Sequence, residues 1–541
     1  MNRAWCRAFT SAGLLLFAVS CHRPLTHVES GGRDQVLHLG NGTEPQGLDP
    51  HIVTGVPEHN ILSALLEGLV TEDPRTLEVR PGVAESWTLS PDRRVYTFRL
   101  RRTARWSNGD ALTAHDFAYS FRRILNPALG AQYAYMLHVL RGARAFNKGK
   151  AGAGWEGVGV EVLDDHTLRL TLENATPHFL ELLNHYSFWP VHPGTLERFG
   201  AFAKRGTPWT RPGNFVGNGA FELREWRVNS RIEVAPNPHY WDASNVALKG
   251  ICFYPIDSAD TEERAYRAGF IHRTQTVPIH RIDDLRRRRP GEIRFETYLG
   301  TYFYRLNITK KPLDDARVRR ALALAVDRAA LVSNITRGGQ QPAFHFCPPG
   351  TGGFTAPSGL KFDVVEARRL IAEYLSATGQ ARVPPIEILY NTSESHKVIA
   401  EAIQGMWRDQ LGLDVKLLNQ EWKVYLDSVT QTNYFTSRAG WIGDYNDPNT
   451  FLDMWLTGGG NNNTGWSSAR YDELIRKAAA TDDTAARLRC FHEAEEILAR
   501  EVPVVPLYFY VNVTLRHPTV QGWHPNVLDH HPYQHVRLQA P

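Results

Sequence analysis

Along residues 365–429 the apolar positions change period repeatedly. They recur at helical spacing over 365–378, alternate as in a strand over 386–390 and return to helical spacing over 397–411. A short strand at 415–417 and a helix at 422–429 follow. Parallel neighbouring strands need a crossover of a dozen or more residues, and helices of this kind supply it. The segment therefore reads as consecutive βαβ units of an α/β fold, with ligands expected in the crevice at strand ends. The chain has 541 residues, too many for one compact core, so two or three lobes are expected. No long low-complexity linker separates them. That suggests chain crossings through short strands, the arrangement of a two-lobed clamp.

The first half has a different texture. Residues 60–69 place Ile61, Leu62, Leu65, Leu66 and Leu69 at helical spacing. Residues 84–89 and 95–100 alternate around Ser90-Pro91-Asp92 and predict a half-buried hairpin. Thr113 followed three residues later by Asp116 predicts a capping box opening a helix over 114–124, which stops before Pro127. Strand pairs are expected at 160–172 and at 221–226 with 231–235. An alanine-rich helix is expected to run through Leu331.

The N-terminus carries Arg3 and Arg7, a small and apolar run over 11–19, then Ser20 and Cys21. This is an export signal, too short for a settled membrane span. The small residues before Cys21 make it the expected lipid-attachment site; ordinary cleavage to a free protein is the alternative. Residues 22–35 read as a tether. No other segment is apolar enough to span a bilayer, which places the mature protein outside the inner membrane.

Cys252, Cys347 and Cys490 remain, an odd number in an oxidising compartment, and spacing assigns no pair. No CxxC or Cys/His metal cluster is present. His524, His530, His531 and His535 read as a surface collection, so neither metal nor cofactor is expected. A net charge of +4 with no concentrated basic face argues against nucleic acid as a partner, and the run 286–289 reads as a solvated helix end. GxSxG, HExxH and Walker A motifs are all missing, and Asp314-Asp315 and Asp482-Asp483 read as caps. The sequence reads as a binding protein and not an enzyme.

One long stretch and several shorter segments carry a resemblance. Arg80-Pro81-Gly82-Val83-Ala84-Glu85-Ser86-Trp87 leads through the hairpin to Trp106-Ser107-Asn108-Gly109-Asp110 and on to Ser120. Gly217–Phe221, Asn237-Pro238-His239-Tyr240-Trp241, Asp315–Arg319, Leu389–Lys397, Asn419–Lys423 and Arg438–Pro448 extend it. Together these resemble the family 5 extracellular solute-binding proteins, the peptide/nickel group of ABC importers, and most of all its periplasmic oligopeptide-binding members. The resemblance implies a periplasmic-binding-protein-like clamp (type II, cluster C) with two main lobes and an inserted third domain. Lobe I would comprise 36–70, 195–298 and 509–541, the inserted domain 71–194, and lobe III 299–508. It also implies a monomeric receptor that hands short peptides to a permease and its ATPase subunits.

The same resemblance implies site residues. Asp444 would meet the peptide ammonium, and Arg438, His396 and Lys310 its carboxylate. Main-chain groups near Glu58, Gly440 and Asn462 to Thr464 would bind its backbone, with Tyr133 and Trp422 walling side-chain pockets. One basic position of the family falls on Val429, so that cation is missing. A lobe III disulfide of relatives falls on Gly300 and Ile442. Gly269-Phe270-Ile271-His272 departs from the family before a cleft-lining stretch at Gln275 and Thr276. Murein peptide, nickel and haem are alternative solutes on this fold. A periplasmic peptidase and a sensor or chaperone are readings from other classes.

Overall fold

The structure is a computed structural model that describes residues 24–356, 359–481 and 483–540. The export signal and Cys21 lie outside the described residues.

Three sheets organise the chain. The first has the order Val36–Gly40, Gly250–Tyr254, Arg231–Pro236, Phe221–Arg227. Gly250–Tyr254 is buried at every position, runs parallel to Val36–Gly40 and pairs antiparallel on its other edge. The second is an antiparallel sheet ordered Ala84–Leu89, Val95–Leu100, Thr167–Thr171, Val160–Asp164. Its hairpin alternates as the sequence predicts, with Tyr96, Phe98 and Leu100 inward. The third has six strands, ordered Gln341–Pro342, Val504–Leu515, Ile293–Leu306, Thr436–Ile442, Ile386–Asn391, Val415–Gln420. The last two run parallel and flank the helix Glu394–Leu411, the expected βαβ unit.

The crossings differ from the expectation of short strands. Ile293–Leu306 and Val504–Leu515 are 14 and 12 residues long and pair antiparallel. At one end Ile293, Val513 and Leu515 pack with Cys252 and Tyr254. At the other, Tyr302, Tyr304, Leu306, Val505 and Leu507 pack with Ala321, Ile388 and Trp407. A long strand carries the chain between two cores without exposing backbone groups, because its partner pairs them along the way. The pairing register shifts between Thr297 and Thr301 and again at Tyr302/Phe303, midway between the cores.

Three further expectations are corrected. Residues 27–34 form a helix, not a tether: Thr26 and Glu29 close a capping box, and His27 stacks on His38 at 3.8 Å. The helix expected at 60–69 spans Val56–Leu65, because Pro57 starts it a turn earlier. The alanine-rich helix stops at Leu324, and Asp327 caps a new turn through the Ala330 N–H at 2.9 Å. Buried Arg328 takes carbonyls at this break, donating to Ala323 O and Val326 O, and also bonds Pro506 O of the strand Val504–Leu515.

Most of the resemblance motif is scaffolding. The Thr113 N–H donates to Asp116 at 2.8 Å, and the Trp106 indole donates to the same carboxylate. Tyr240 and Trp241 both donate to buried Glu67, at 2.5 and 2.6 Å. Gly217 lies against Leu65, where a Cβ would stand 2.2 Å from the carbonyl oxygen. Cys252, Cys347 and Cys490 are buried and unpaired. Gly300 and Ile442 face each other in register, and the Ile442 side chain occupies the space that a Cβ on Gly300 would enter.

Candidate functional site

A cavity of about 580 Å³ lies between the first and third sheets, with Gln132, Tyr133, His185 and Tyr186 along one side. This falls within the range of roughly 300–1,000 Å³ typical of ligand sites. Asp444, Arg438, His396, Tyr133, Trp422 and Gly440 line it, as do Val429, Gln275 and Thr276.

Arg438 and Gly440 come from the strand Thr436–Ile442. That strand pairs with Ile293–Leu306 along its whole length, but with Ile386–Asn391 only at Thr436 and Ser437. Past Ser437 its second edge has no partner strand among the described residues. An unpaired edge inside a cavity is a template for an added strand. Gly440 lies on this edge with Tyr510 packed against its face, where a Cβ would stand 2.5 Å from the hydroxyl.

Asp444 follows directly after the strand, with its side chain 12% exposed. Its N–H donates to Thr450 Oγ1 at 3.0 Å, and the Thr450 hydroxyl returns a bond to its carboxylate at 3.3 Å. His185 Nε2 stands 3.4 Å away, but burial holds that imidazole well below its usual pKa, so it is neutral. Burial pushes Asp444 up to about 7, against the Thr450 bond and the nearby His530. No Lys or Arg nitrogen lies within 4.0 Å of its carboxylate among the described residues.

The loop carrying Asp444 is anchored three residues on. Arg487, from the helix Thr484–Glu501, grips Asp447 in a two-pronged buried pair at 2.5 and 2.6 Å. Burial opposes ionisation of Asp447, but the bonds from Arg487 outweigh it and lower the carboxyl from its usual pKa.

Arg438 is the opposite charge. It donates to Asn391 Oδ1 and the Tyr510 hydroxyl, both at 3.2 Å, and lies over the Tyr302 ring. Its buried Nε has no partner, and no carboxylate lies within 4.0 Å among the described residues. Asp444 stands six positions after Arg438, so their span along an extended chain is at most about 20 Å.

Other expected residues fall differently. His396 lines the cavity beside the Tyr302 hydroxyl at 3.3 Å, but burial and Arg438 hold it well below its usual pKa. It offers a neutral imidazole rather than the expected cation. Lys310 is not on the cavity wall; its ammonium lies over the Phe435 ring at 4.9 Å. Glu58 lies behind the wall, fully buried, accepting the Gln46 N–H at 2.5 Å, and burial pushes it up to about 7. The neighbouring residues Gly55, Val56 and Pro57 line the cavity instead. Asn462 and Thr464 also stand behind it. Asn462 holds the carbonyls of Trp455, Leu456 and Trp466, and Thr464 bonds Asn462 at 2.7 Å. Asn461 and Asn463, on either side, form the lining.

The sequence reading missed His59, His185, Tyr186, His530, Arg305, Tyr508 and Tyr510, which all line the cavity. Alternation along 504–515 would have put Tyr508 and Tyr510 on one face. The histidines come from three separate parts of the chain and carry no local signal. His530 pairs with Glu72 at 2.6 Å, and His59 stacks on it at 4.8 Å.

Two cores joined by paired crossing strands, with a large cavity of charged, amide and aromatic lining between them, define a clamp-type solute-binding protein. The family model of bacterial extracellular solute-binding proteins, family 5 middle, matches residues 78–463. The chain belongs to this family of solute receptors, and it is a binding protein and not an enzyme. It is 38% identical to the periplasmic oligopeptide-binding protein OppA of Salmonella typhimurium over 90% of each chain. The crystal structure of Haemophilus influenzae OppA in complex with the peptide RPPGFSPFR superposes with a TM-score of 0.89, at 35% identity, over 94% of this chain and 99% of that one. The murein tripeptide-binding protein MppA of Escherichia coli gives 0.87 at 36% identity, over 93% and 98%. The unliganded open form of MppA gives only 0.63 at the same identity, over 94% and 98%. The present clamp is thus closed by comparison.

Proposed function

We propose that this protein captures short peptides outside the cytoplasmic membrane and delivers them to the permease and ATPase subunits of an ABC importer. One observation carries the reading. A large cavity between the lobes sets a buried carboxyl, Asp444, and a buried guanidinium, Arg438, at the two ends of a strand edge that lacks a partner strand among the described residues. A zwitterionic extended chain complements all three features: its ammonium meets Asp444, its carboxylate meets Arg438 and its amides meet the edge at Gly440. Each buried charge without a counter-ion costs several kcal/mol, and a ligand that supplies both removes that cost. His396 adds a neutral hydrogen bond beside Arg438, and Tyr133 and Trp422 wall the side-chain space. Backbone capture with roomy side-chain pockets gives broad sequence tolerance.

Cys21, preceded by small residues after an apolar run, is the proposed lipid-attachment site, and the receptor acts as a monomer. No helix among the described residues is long and apolar enough to cross a membrane. Native mass spectrometry of the protein as purified tests both points: bound masses in the range of short peptides support capture, and the protein mass reports lipid on Cys21. A protein that carries no peptide and takes up none in calorimetry overturns the reading. A murein peptide is the second candidate, because similarity to MppA, at 38% identity over 91% of this chain, is as strong as that to OppA. A panel of cell-wall-derived and ordinary peptides separates the two.

A further inference from the structure

We propose that Arg305 forms an anion-accepting side-chain pocket in the clamp, so that the preferred ligand carries an acidic side chain at an interior position. This rests on the peptide reading above and names the class of peptide.

Arg305 lies on the crossing strand Ile293–Leu306 and lines the central cavity. It is 8% exposed. Its Nε is buried without a hydrogen-bond partner, and no carboxylate lies within 4.0 Å of the guanidinium among the described residues. Its contacts are neutral. The guanidinium lies 5.3 Å from the Phe303 ring centroid, and Ser437 and Val504 flank it in register. Tyr434, close enough for Arg305 to act on its hydroxyl electrostatically, donates that hydroxyl to Asn463 O. Tyr434 also packs with Val429, another cavity residue, and next to Val429 the Thr430 hydroxyl accepts a bond from Gln132 at 3.2 Å. The immediate surroundings of Arg305 are therefore apolar, amide or hydroxyl in character and supply no anion within 4.0 Å.

A cation buried without a counter-ion loses its hydration for nothing unless a partner arrives. Arginine also offers a planar fork that holds a carboxylate through two charge-assisted bonds. The ligand's terminal carboxylate is not that partner. Tyr304, the register partner of Arg438, precedes Arg305, so the two arginines project from opposite faces of the sheet. Arg438 takes the terminus along the open strand edge, and Arg305 is left for a side chain. Val429, where the family carries a further base, adds apolar surface and no competing charge.

The test is calorimetry at low salt on tetraalanine peptides in which Glu or Gln is placed at each position in turn. Wild type is expected to prefer Glu over Gln at one interior position by about tenfold or more, the scale of one charge-assisted pair. In Arg305→Gln that ratio should fall to within about twofold, whereas Arg305→Lys, which keeps the charge, should retain a clear preference. Amidating the peptide C-terminus should weaken binding by the same factor in wild type and Arg305→Gln. A wild-type ratio near one at every position overturns the proposal. So does a Glu preference that survives in Arg305→Gln, or an amidation penalty that vanishes there. If neither the Gln nor the Glu series binds at all, the peptide reading falls first.

Discussion

Asp444 and Arg438 are buried charges, and the buried histidines around them are largely neutral. Burial places the Asp444 carboxyl near 7, well above its usual range. A ligand ammonium needs it ionised. The affinity for free-amine peptides is therefore expected to fall as pH drops below about 7, by up to about tenfold per unit. Proton release on binding at pH 6, read by calorimetry in buffers of different ionisation enthalpy, checks this. Asp444→Asn should cost about 2–5 kcal/mol of binding for free-amine peptides and little for N-acetylated ones, and it should abolish the pH dependence. The sign reverses for the unliganded protein. A carboxyl whose folded pKa exceeds its unfolded value loses stability as pH rises between the two. Asp444→Asn should accordingly melt higher than wild type at pH 8, with the difference gone near pH 4.

Elements hold these residues in place. The loop after Thr436–Ile442 keeps its shape because Arg487 reaches across from another helix to Asp447. Arg487→Met leaves that carboxylate buried with only the neutral His178 and the Asn449 N–H beside it. It should destabilise the protein by about 3–5 kcal/mol in urea unfolding and weaken peptide binding through Asp444. Adding Asp447→Asn should restore much of the stability. The Gly300/Ile442 pair makes a second element-scale prediction. Because the two residues face each other across antiparallel strands, Gly300→Cys with Ile442→Cys should form a disulfide under oxidising conditions. The expected gain is about 2–4 kcal/mol, visible as a melting shift that reductant reverses.

At the scale of the whole molecule, two paired strands join the two cores, and their register shifts midway, between Thr297 and Tyr302. Bending there leaves both cores intact, since each end of the strands packs within its own cluster. The clamp is expected to open without ligand and close on it. Small-angle scattering should show a smaller radius of gyration when peptide is added to wild type and no change with Asp444→Asn. Equal radii with and without peptide would exclude a hinge at this crossing.

The local elements were legible in the sequence wherever their signal is local. The hairpin over residues 84–100, the Thr113 capping box and the βαβ alternation after residue 364 depend on neighbours a few positions apart. The Asp444 and Arg438 positions followed from motif resemblance and fall on the cavity wall. What could not be read locally was set by partners far along the chain. His396 is neutral because burial and Arg438 make it so, and Asn462 supports the lining from behind. Sequence determined which segments become strands and helices, because backbone preference and period are local properties. Tertiary structure alone decided which charges are buried without partners, because desolvation and counter-ions belong to the assembled cavity and not to any one segment.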